Sequence, residues 1–116
     1  MINDLLIGRT PLATADIKRH WNRVIELGAY PRFFGAGHLT IHHVHSGSIA
    51  DAGIVRGTGQ KPSDWLVIAL PQTLHYMGRE AIDGNMGVRA WEARFGTQLD
   101  ALVWTAKHLQ INIFEK

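Results

Sequence analysis

The segments HLTIHHVH (residues 38–45) and DWLVIAL (residues 64–70) decide the fold that this sequence predicts. The first is rich in β-branched residues, which favour a strand. The second is almost continuously apolar, as is typical of a buried strand. Because side chains alternate between the two faces of a strand, we expect the neighbours His42 and His43 to point to opposite faces.

The segments that follow these strands predict a loop and a short helix. Residues 46–63 are rich in glycine and predict one long loop, and long loops in small domains are often functional. The segment PQTLHYM (71–77) predicts a short helix, because proline suits the first turn. The segment REAIDGNMG (79–87) predicts a second loop.

Three further segments have apolar residues at helical spacing, and they predict an N-terminal helix and two C-terminal helices: residues 14–28, 87–96 and 97–110. Their apolar sides are interpreted as core. The predicted class is therefore α+β. Neither a repeat nor a linker is visible, so residues 1–116 are predicted to form a single domain.

Composition narrows the function classes. The chain has 116 residues, 46% hydrophobic and 19% charged, which is typical of a globular protein rather than a disordered one. No apolar run reaches the ~18 residues of a membrane span, and the N-terminus does not resemble a secretory signal, so we expect a cytoplasmic protein. Cysteine is absent, which excludes disulfides and thiolate metal sites. A net charge of +2 does not by itself indicate nucleic-acid binding.

Histidine is concentrated in the middle of the chain: five of the seven histidines are His38, His42, His43, His45 and His75. Histidine titrates near neutral pH and is the commonest metal ligand. Two interpretations stay open on composition alone, a metal site or a set of unrelated surface and strand histidines.

The order strand, loop, strand, short helix is that of a ββα-metal arrangement, in which a divalent cation lies between strand and helix. We predict His42, His75 and Asp83 as the metal ligands, the last because carboxylates suit Mg²⁺ or Mn²⁺. On the other face of the strand, His43 would act as general base on water. Asp64 would accept a hydrogen bond that holds the tautomer of His43.

Other interpretations of these residues are simpler. His75 and Asp83 can pair with each other without any metal. For His38 and His45 we expect surface or strand-edge positions rather than metal binding. Charged side chains on a helix are more often a solvated face than a phosphate grip.

Five stretches together carry a resemblance to a known family: IHHVHSG (41–47), GTGQKPSDW (57–65), IALPQTLH (68–75), AIDG (81–84) and WEARFGTQLDAL (91–102). In order and spacing they resemble the phage HNH endonucleases that include the recombination-enhancement (Ref-type) nucleases. The resemblance covers roughly residues 14–105. It implies a ββα-metal, treble-clef-like core and supports the roles predicted for the strand histidines, Asp64 and His75.

The sequence departs from the family pattern at two places. Asp83 stands where the family usually has a histidine, and Asp can also bind a hard divalent ion. The family's structural zinc ligands match Tyr30, Phe33, Pro71 and Leu74, none of which binds zinc. We expect packing of Tyr30, Phe33, Leu74 and the adjacent Phe34 to replace the zinc, since burial of such side chains contributes ~1.5–3 kcal/mol each.

The resemblance implies a metal-dependent HNH endonuclease that hydrolyses DNA phosphodiester bonds, encoded by a phage or prophage and linked to recombination or DNA processing. Its cation would be Mg²⁺ or Mn²⁺, with Zn²⁺ as a further candidate. Arg56, Lys61 and Arg79 would contact DNA phosphates. A host recombinase filament is the implied protein partner, in the bacterial cytoplasm. The alternative is a catalytically weakened HNH-fold module that binds DNA or a host protein.

Overall fold

The computed structural model describes residues 14–54, 65–84 and 86–111. Within these ranges the chain forms five helices and one sheet of two strands. The elements are α1 (Thr14–Leu27), β1 (Leu39–His43), α2 (Gly47–Asp51), β2 (Val67–Pro71), α3 (Gln72–His75), α4 (Val88–Phe95) and α5 (Gln98–Leu109). The α+β class is confirmed. The order β1, β2, α3 is the predicted one, while a ββα-metal core stays a prediction.

The sheet is antiparallel, and its register runs from the pair Leu39–Pro71 to the pair His43–Val67. All five residues of β2 are buried. One face of β2 packs against α1, where Val24 of α1 forms a small apolar cluster with Val67 and Ala69 of β2. The other face joins the main core with α4 and α5. The sheet is therefore covered on both sides, which explains the continuous apolar character of β2.

The helix α2 lies in the segment that the sequence predicted to be one long loop, so that prediction was wrong for residues 47–51. A helix of five residues is too short to show periodicity, and tertiary contacts hold it. Ile49 is fully buried. The backbone N–H and the hydroxyl of Ser48 donate to the carboxylate of Glu92, at 2.9 and 2.5 Å. Residues 55–63 of the predicted loop lie outside the described residues.

The helices α4 and α5 meet at Gly96, whose φ of +122° is in the region that favours glycine. The side chain of Thr97 caps α5 by accepting a hydrogen bond from the N–H of Asp100 at 3.1 Å. This junction places Glu92 and Gln98, both buried, beside the start of α2.

Of the four side chains that were predicted to pack in place of the zinc, three pack in or against the core as predicted, and the prediction was wrong for the fourth. Phe33 and Leu74 are buried in the core at 3% and 1% exposure, and Tyr30 packs against them. The rings of Tyr30 and Phe33 have centroids 5.3 Å apart. Phe34 instead is 81% exposed, because Phe33 occupies the inward position of this turn-rich segment.

Among the described helices, none has both the length and the apolar character needed to cross a membrane.

Candidate metal centre

Three imidazoles converge on the carboxylate of Asp83. The Oδ2 atom of Asp83 lies 3.0 Å from Nε2 of His75 and 3.3 Å from Nδ1 of His42. The Oδ1 atom lies 2.8 Å from Nε2 of His45. One ligand atom each from His42, His45 and Asp83 lie within 4.8 Å of one another, so this group could hold a metal ion. His75 contacts the same carboxylate but is not one of the three residues of this group.

Backbone hydrogen bonds bring Asp83 to this place. The N–H of Asp83 donates to the carbonyl of His75 at 2.9 Å, and the N–H of Ile82 donates to the carbonyl of Leu74 at 2.8 Å. Ile82 is buried and anchors the segment in the core. The structure therefore brings together the three predicted ligands His42, His75 and Asp83.

Sequence reasoning missed His45. If the strand continued to residue 45, His45 would share a face with His43 and not with His42. The structure ends β1 at His43, and the following residues turn, with Ser46 at φ +59° and Gly47 at φ +46°. His45 therefore lies beyond the strand and outside its alternation, and its ring centroid is 5.4 Å from that of His42. The dipeptide Ser46-Gly47 was the available signal, because such pairs mark turns.

Gln98 contacts both His42 and His45. Its Oε1 accepts a hydrogen bond from the backbone N–H of His45 at 3.1 Å and lies 2.9 Å from Nε2 of His42. Its Nε2 donates to the carbonyl of His45 at 2.7 Å. Gln98 is 0% exposed, so these polar contacts are made out of reach of solvent.

His75 and His45 each contact a polar oxygen with the ring nitrogen that does not face Asp83. Nδ1 of His75 lies 2.7 Å from Oγ1 of Thr40, whose hydroxyl donates to the carbonyl of Leu70 at 2.8 Å. Nδ1 of His45 lies 3.1 Å from Oγ of Ser46. Metal-binding histidines commonly have such a partner on the nitrogen that does not bind the metal.

Burial and neighbouring charges shift the pKa values of the cluster in opposite directions. Burial lowers the pKa of His42, and the neighbouring Asp83 and Gln98 oppose this only in part. The contact with Asp83 raises the pKa of the more exposed His45. Burial alone would raise the pKa of Asp83, but the three imidazoles that face it lower that pKa well below its ordinary value. Asp83 is therefore a carboxylate at neutral pH.

One atom of the cluster is left without a hydrogen bond. Nδ1 of His42 is buried and has no hydrogen-bond partner among the described residues; the nearby Oδ2 of Asp83 lies at 3.3 Å. A buried polar nitrogen without a partner is costly and needs an explanation. A cation between this nitrogen and the carboxylate would supply one.

The predicted general base, His43, lies outside the cluster, on the other face of the strand, as the sequence predicted. The ring of His43 lies against Trp21 of α1, with centroids 5.6 Å apart and planes at 85°. His42 and His43 thus contact different parts of the molecule, as strand alternation requires. Asp64, which was predicted to orient His43, lies outside the described residues.

Of the predicted DNA contacts, only Arg79 is described, and Arg56 and Lys61 lie outside the described residues. Arg79 is exposed in an open groove of about 510 Å³ beside α3. In this groove Arg94 pairs with Glu80 at 2.6 Å, whereas Arg79 forms no ion pair with the acidic residues that the structure describes.

Comparison of the chain with protein-family models, with curated proteins and with solved structures gave no match. The resemblance to HNH endonucleases therefore stays a prediction from the sequence.

Proposed function

We propose that this chain is a divalent-metal-dependent endonuclease that hydrolyses phosphodiester bonds of DNA. The observation that supports the proposal best is the convergence of His42, His45 and His75 on the single carboxylate of Asp83. The resemblance of the surrounding sequence to HNH endonucleases adds the substrate class.

The donor set indicates which cation fits. Two imidazole nitrogens, from His42 and His45, and the carboxylate of Asp83 form the group that could hold a cation, and the imidazole of His75 faces the same carboxylate. Imidazole suits Zn²⁺ and related transition ions, whereas Mg²⁺ prefers oxygen. Mn²⁺ accepts both types of donor. We therefore propose Mn²⁺ or Zn²⁺ rather than Mg²⁺ as the cation.

The residues of the cluster would have different roles because their side chains differ in exposure to solvent. His42 and His75, at 1% and 14% side-chain exposure, would fix the cation from the protein side, and His45 and Asp83, at 34% each, lie where solvent and a phosphate can approach. A bound divalent cation would supply positive charge to the phosphate and lower the pKa of water. Arg79, in the groove beside α3, would contact a neighbouring phosphate without reading the base sequence.

A second candidate is a non-catalytic module that binds DNA or a host protein and uses the metal for stability. The observation that favours it is the position of His43, whose ring packs against Trp21 and not beside the cluster. The general base that the sequence predicted is then not next to the candidate cation site.

A supercoiled-plasmid assay tests the proposal. The purified chain is incubated with Mn²⁺, Zn²⁺, Mg²⁺ or a chelator, beside the variants His42→Ala and His108→Ala. His108 is the matched control, because it is exposed on α5 and bonds only the carbonyl of Trp104 among the described residues. We expect nicking with Mn²⁺ or Zn²⁺ that the chelator and His42→Ala abolish and His108→Ala leaves intact.

Calorimetric titration with Mn²⁺ and Zn²⁺ in parallel separates the two candidates. Metal binding without nicking would overturn the endonuclease and support the binding module. Absence of both metal binding and nicking would overturn the metal centre itself.

A further inference from the structure

We infer that Gln98 is a positioning residue that fixes the tautomer of His42, so that Nδ1 and not Nε2 binds the cation. The inference rests on the metal centre of the proposed function and adds to it the atom by which His42 binds. A neutral imidazole has one nitrogen that donates and one that accepts, and the hydrogen bond on one nitrogen decides which is which.

The orientation of the Gln98 amide follows from the backbone of His45. The N–H of His45 can only donate and the carbonyl of His45 can only accept. Gln98 therefore turns Oε1 to the first and Nε2 to the second, at 3.1 and 2.7 Å. Because Oε1 can only accept, Nε2 of His42, 2.9 Å away, must be the donor in this pair. The lone pair of neutral His42 is then on Nδ1, which faces Asp83.

A second layer holds Gln98 itself. The carboxylate of the buried Glu92 accepts a hydrogen bond from the backbone N–H of Gln98 at 2.8 Å. The same carboxylate accepts from Ser48 at the start of α2. Glu92 thereby ties the beginnings of α2 and α5 together, and Gln98 has little freedom to rotate its amide away from His42.

Thr40 imposes the opposite tautomer on His75. Its hydroxyl proton is used on the carbonyl of Leu70 at 2.8 Å, so Oγ1 is left to accept from Nδ1 of His75 at 2.7 Å. The lone pair of neutral His75 is then on Nε2, 3.0 Å from Oδ2 of Asp83. His42 and His75 thus present different ring nitrogens to the same carboxylate oxygen.

In the neutral rings, two lone pairs directed at one carboxylate oxygen repel it unless a proton or a metal cation lies between them. The hydrogen bonds that Gln98 and Thr40 accept from the two imidazoles hold this arrangement in the folded protein and so prepare it for a cation before the cation arrives. This is the role that outer-shell groups have in established metal sites.

Nitrogen-detected NMR of metal-free, ¹⁵N-labelled protein tests the inference without any variant. The spectra are recorded at about pH 8.5, two units above the ordinary histidine pKa of ~6.5. We expect His42 to show the Nε2–H tautomer and His75 the Nδ1–H tautomer. Addition of Zn²⁺ should shift Nδ1 of His42 and leave the proton on Nε2. An Nδ1–H tautomer of His42, or loss of its Nε2 proton with zinc, would overturn the inference.

Two variants test whether Gln98 is the residue that fixes the tautomer of His42. Gln98→Leu removes the acceptor, and we expect a mixture of His42 tautomers and a loss of zinc affinity of about 10–100-fold, the range for outer-shell changes. Gln98→Glu loses the donor to the carbonyl of His45 but keeps an acceptor for Nε2 of His42, and we expect the folded variant to keep the tautomer. A merely structural role would not move the tautomer, so an unchanged His42 spectrum in folded Gln98→Leu would overturn the inference.

The outcomes stay separate from those of the proposed function. Correct tautomers and zinc binding without plasmid nicking would contradict the endonuclease alone. Nicking with the other His42 tautomer would contradict this inference alone.

Discussion

His75 and Asp83 are joined twice, by a backbone hydrogen bond of 2.9 Å and by a side-chain contact of 3.0 Å. The backbone bond fixes the distance between the two residues before any side chain is placed. The carboxylate therefore reaches the imidazole of α3 by local chain geometry, whereas His42 and His45 reach it from the strand. Asp83 thus connects His75, at the end of α3, with His42 and His45, which come from β1 and the residues that follow it.

The first prediction concerns stability in the presence of metal. A ligand that binds only the folded state at 100 times its dissociation constant adds about 2.7 kcal/mol to the free energy of unfolding. We expect Mn²⁺ or Zn²⁺ at that ratio to raise the melting temperature and a chelator to reverse the rise. Asp83→Asn should abolish most of it, because the carboxylate contacts all three imidazoles. Asp100→Asn, at an exposed site on α5, is the control; an equal rise in both variants would contradict the site.

The second prediction concerns the general base. The sequence assigns this role to His43, but its ring lies against Trp21 rather than in the cluster. A general base contributes typically 10²–10⁴-fold to a rate. We expect His43→Ala to keep metal-dependent plasmid nicking within about tenfold of the unaltered protein. A loss of 100-fold or more, with metal affinity unchanged by calorimetry, would return the role of general base to His43.

The third prediction compares two adjacent phenylalanines. Phe33 is 3% exposed and its ring centroid lies 4.9 Å from that of Trp91, whereas Phe34 is 81% exposed. We expect Phe33→Ala to lower the free energy of unfolding by about 3–5 kcal/mol, through lost burial and the cavity left behind. Phe34→Ala should change it by about 0.5 kcal/mol or less. Denaturant titration of both variants measures this, and similar losses would show that Phe33 is not the inward residue.

The fourth prediction concerns pH and His20, which lies away from the candidate metal centre. Burial lowers the pKa of His20 below its ordinary value, against the hydrogen bond that Nε2 makes with the carbonyl of Trp65 at 2.9 Å. The unfolded chain therefore binds a proton more readily than the folded protein does. The contribution of neutral His20 to the free energy of unfolding is therefore complete above the unfolded pKa of ~6.5 and is lost as the pH falls below that value.

The variant His20→Gln tests this assignment, because glutamine can donate to the same carbonyl and does not titrate. We expect the free energy of unfolding to decrease less between pH 7 and pH 5 in His20→Gln than in the unaltered protein. Part of the decrease should remain, because the pKa of buried His42 is lowered as well. Identical pH dependence in both proteins, measured by denaturant titration, would exclude His20 as a source.

The sequence by itself determined the elements with strong periodicity and three of the four side chains of the cluster. The helix at residues 14–28, the two strands and the two C-terminal helices follow from apolar spacing, and the structure confirms them with ends that differ by at most three residues. His42, His75 and Asp83 were accessible because their order along the chain predicts a cation between strand and helix. Local spacing carries this information, since periodicity is a property of neighbouring residues.

Only the tertiary structure decided the place of His45, the helix α2 and the role of Gln98. Each depends on contacts between residues far apart in the sequence: Gln98 lies 53 positions from His45 and 56 from His42, and Ser48 lies 44 from Glu92. The strand ends at His43 and the chain turns directly after His45, so His45 is not subject to the alternation that a longer strand would impose. Such contacts arise from packing of whole elements, and no local pattern in the chain records them.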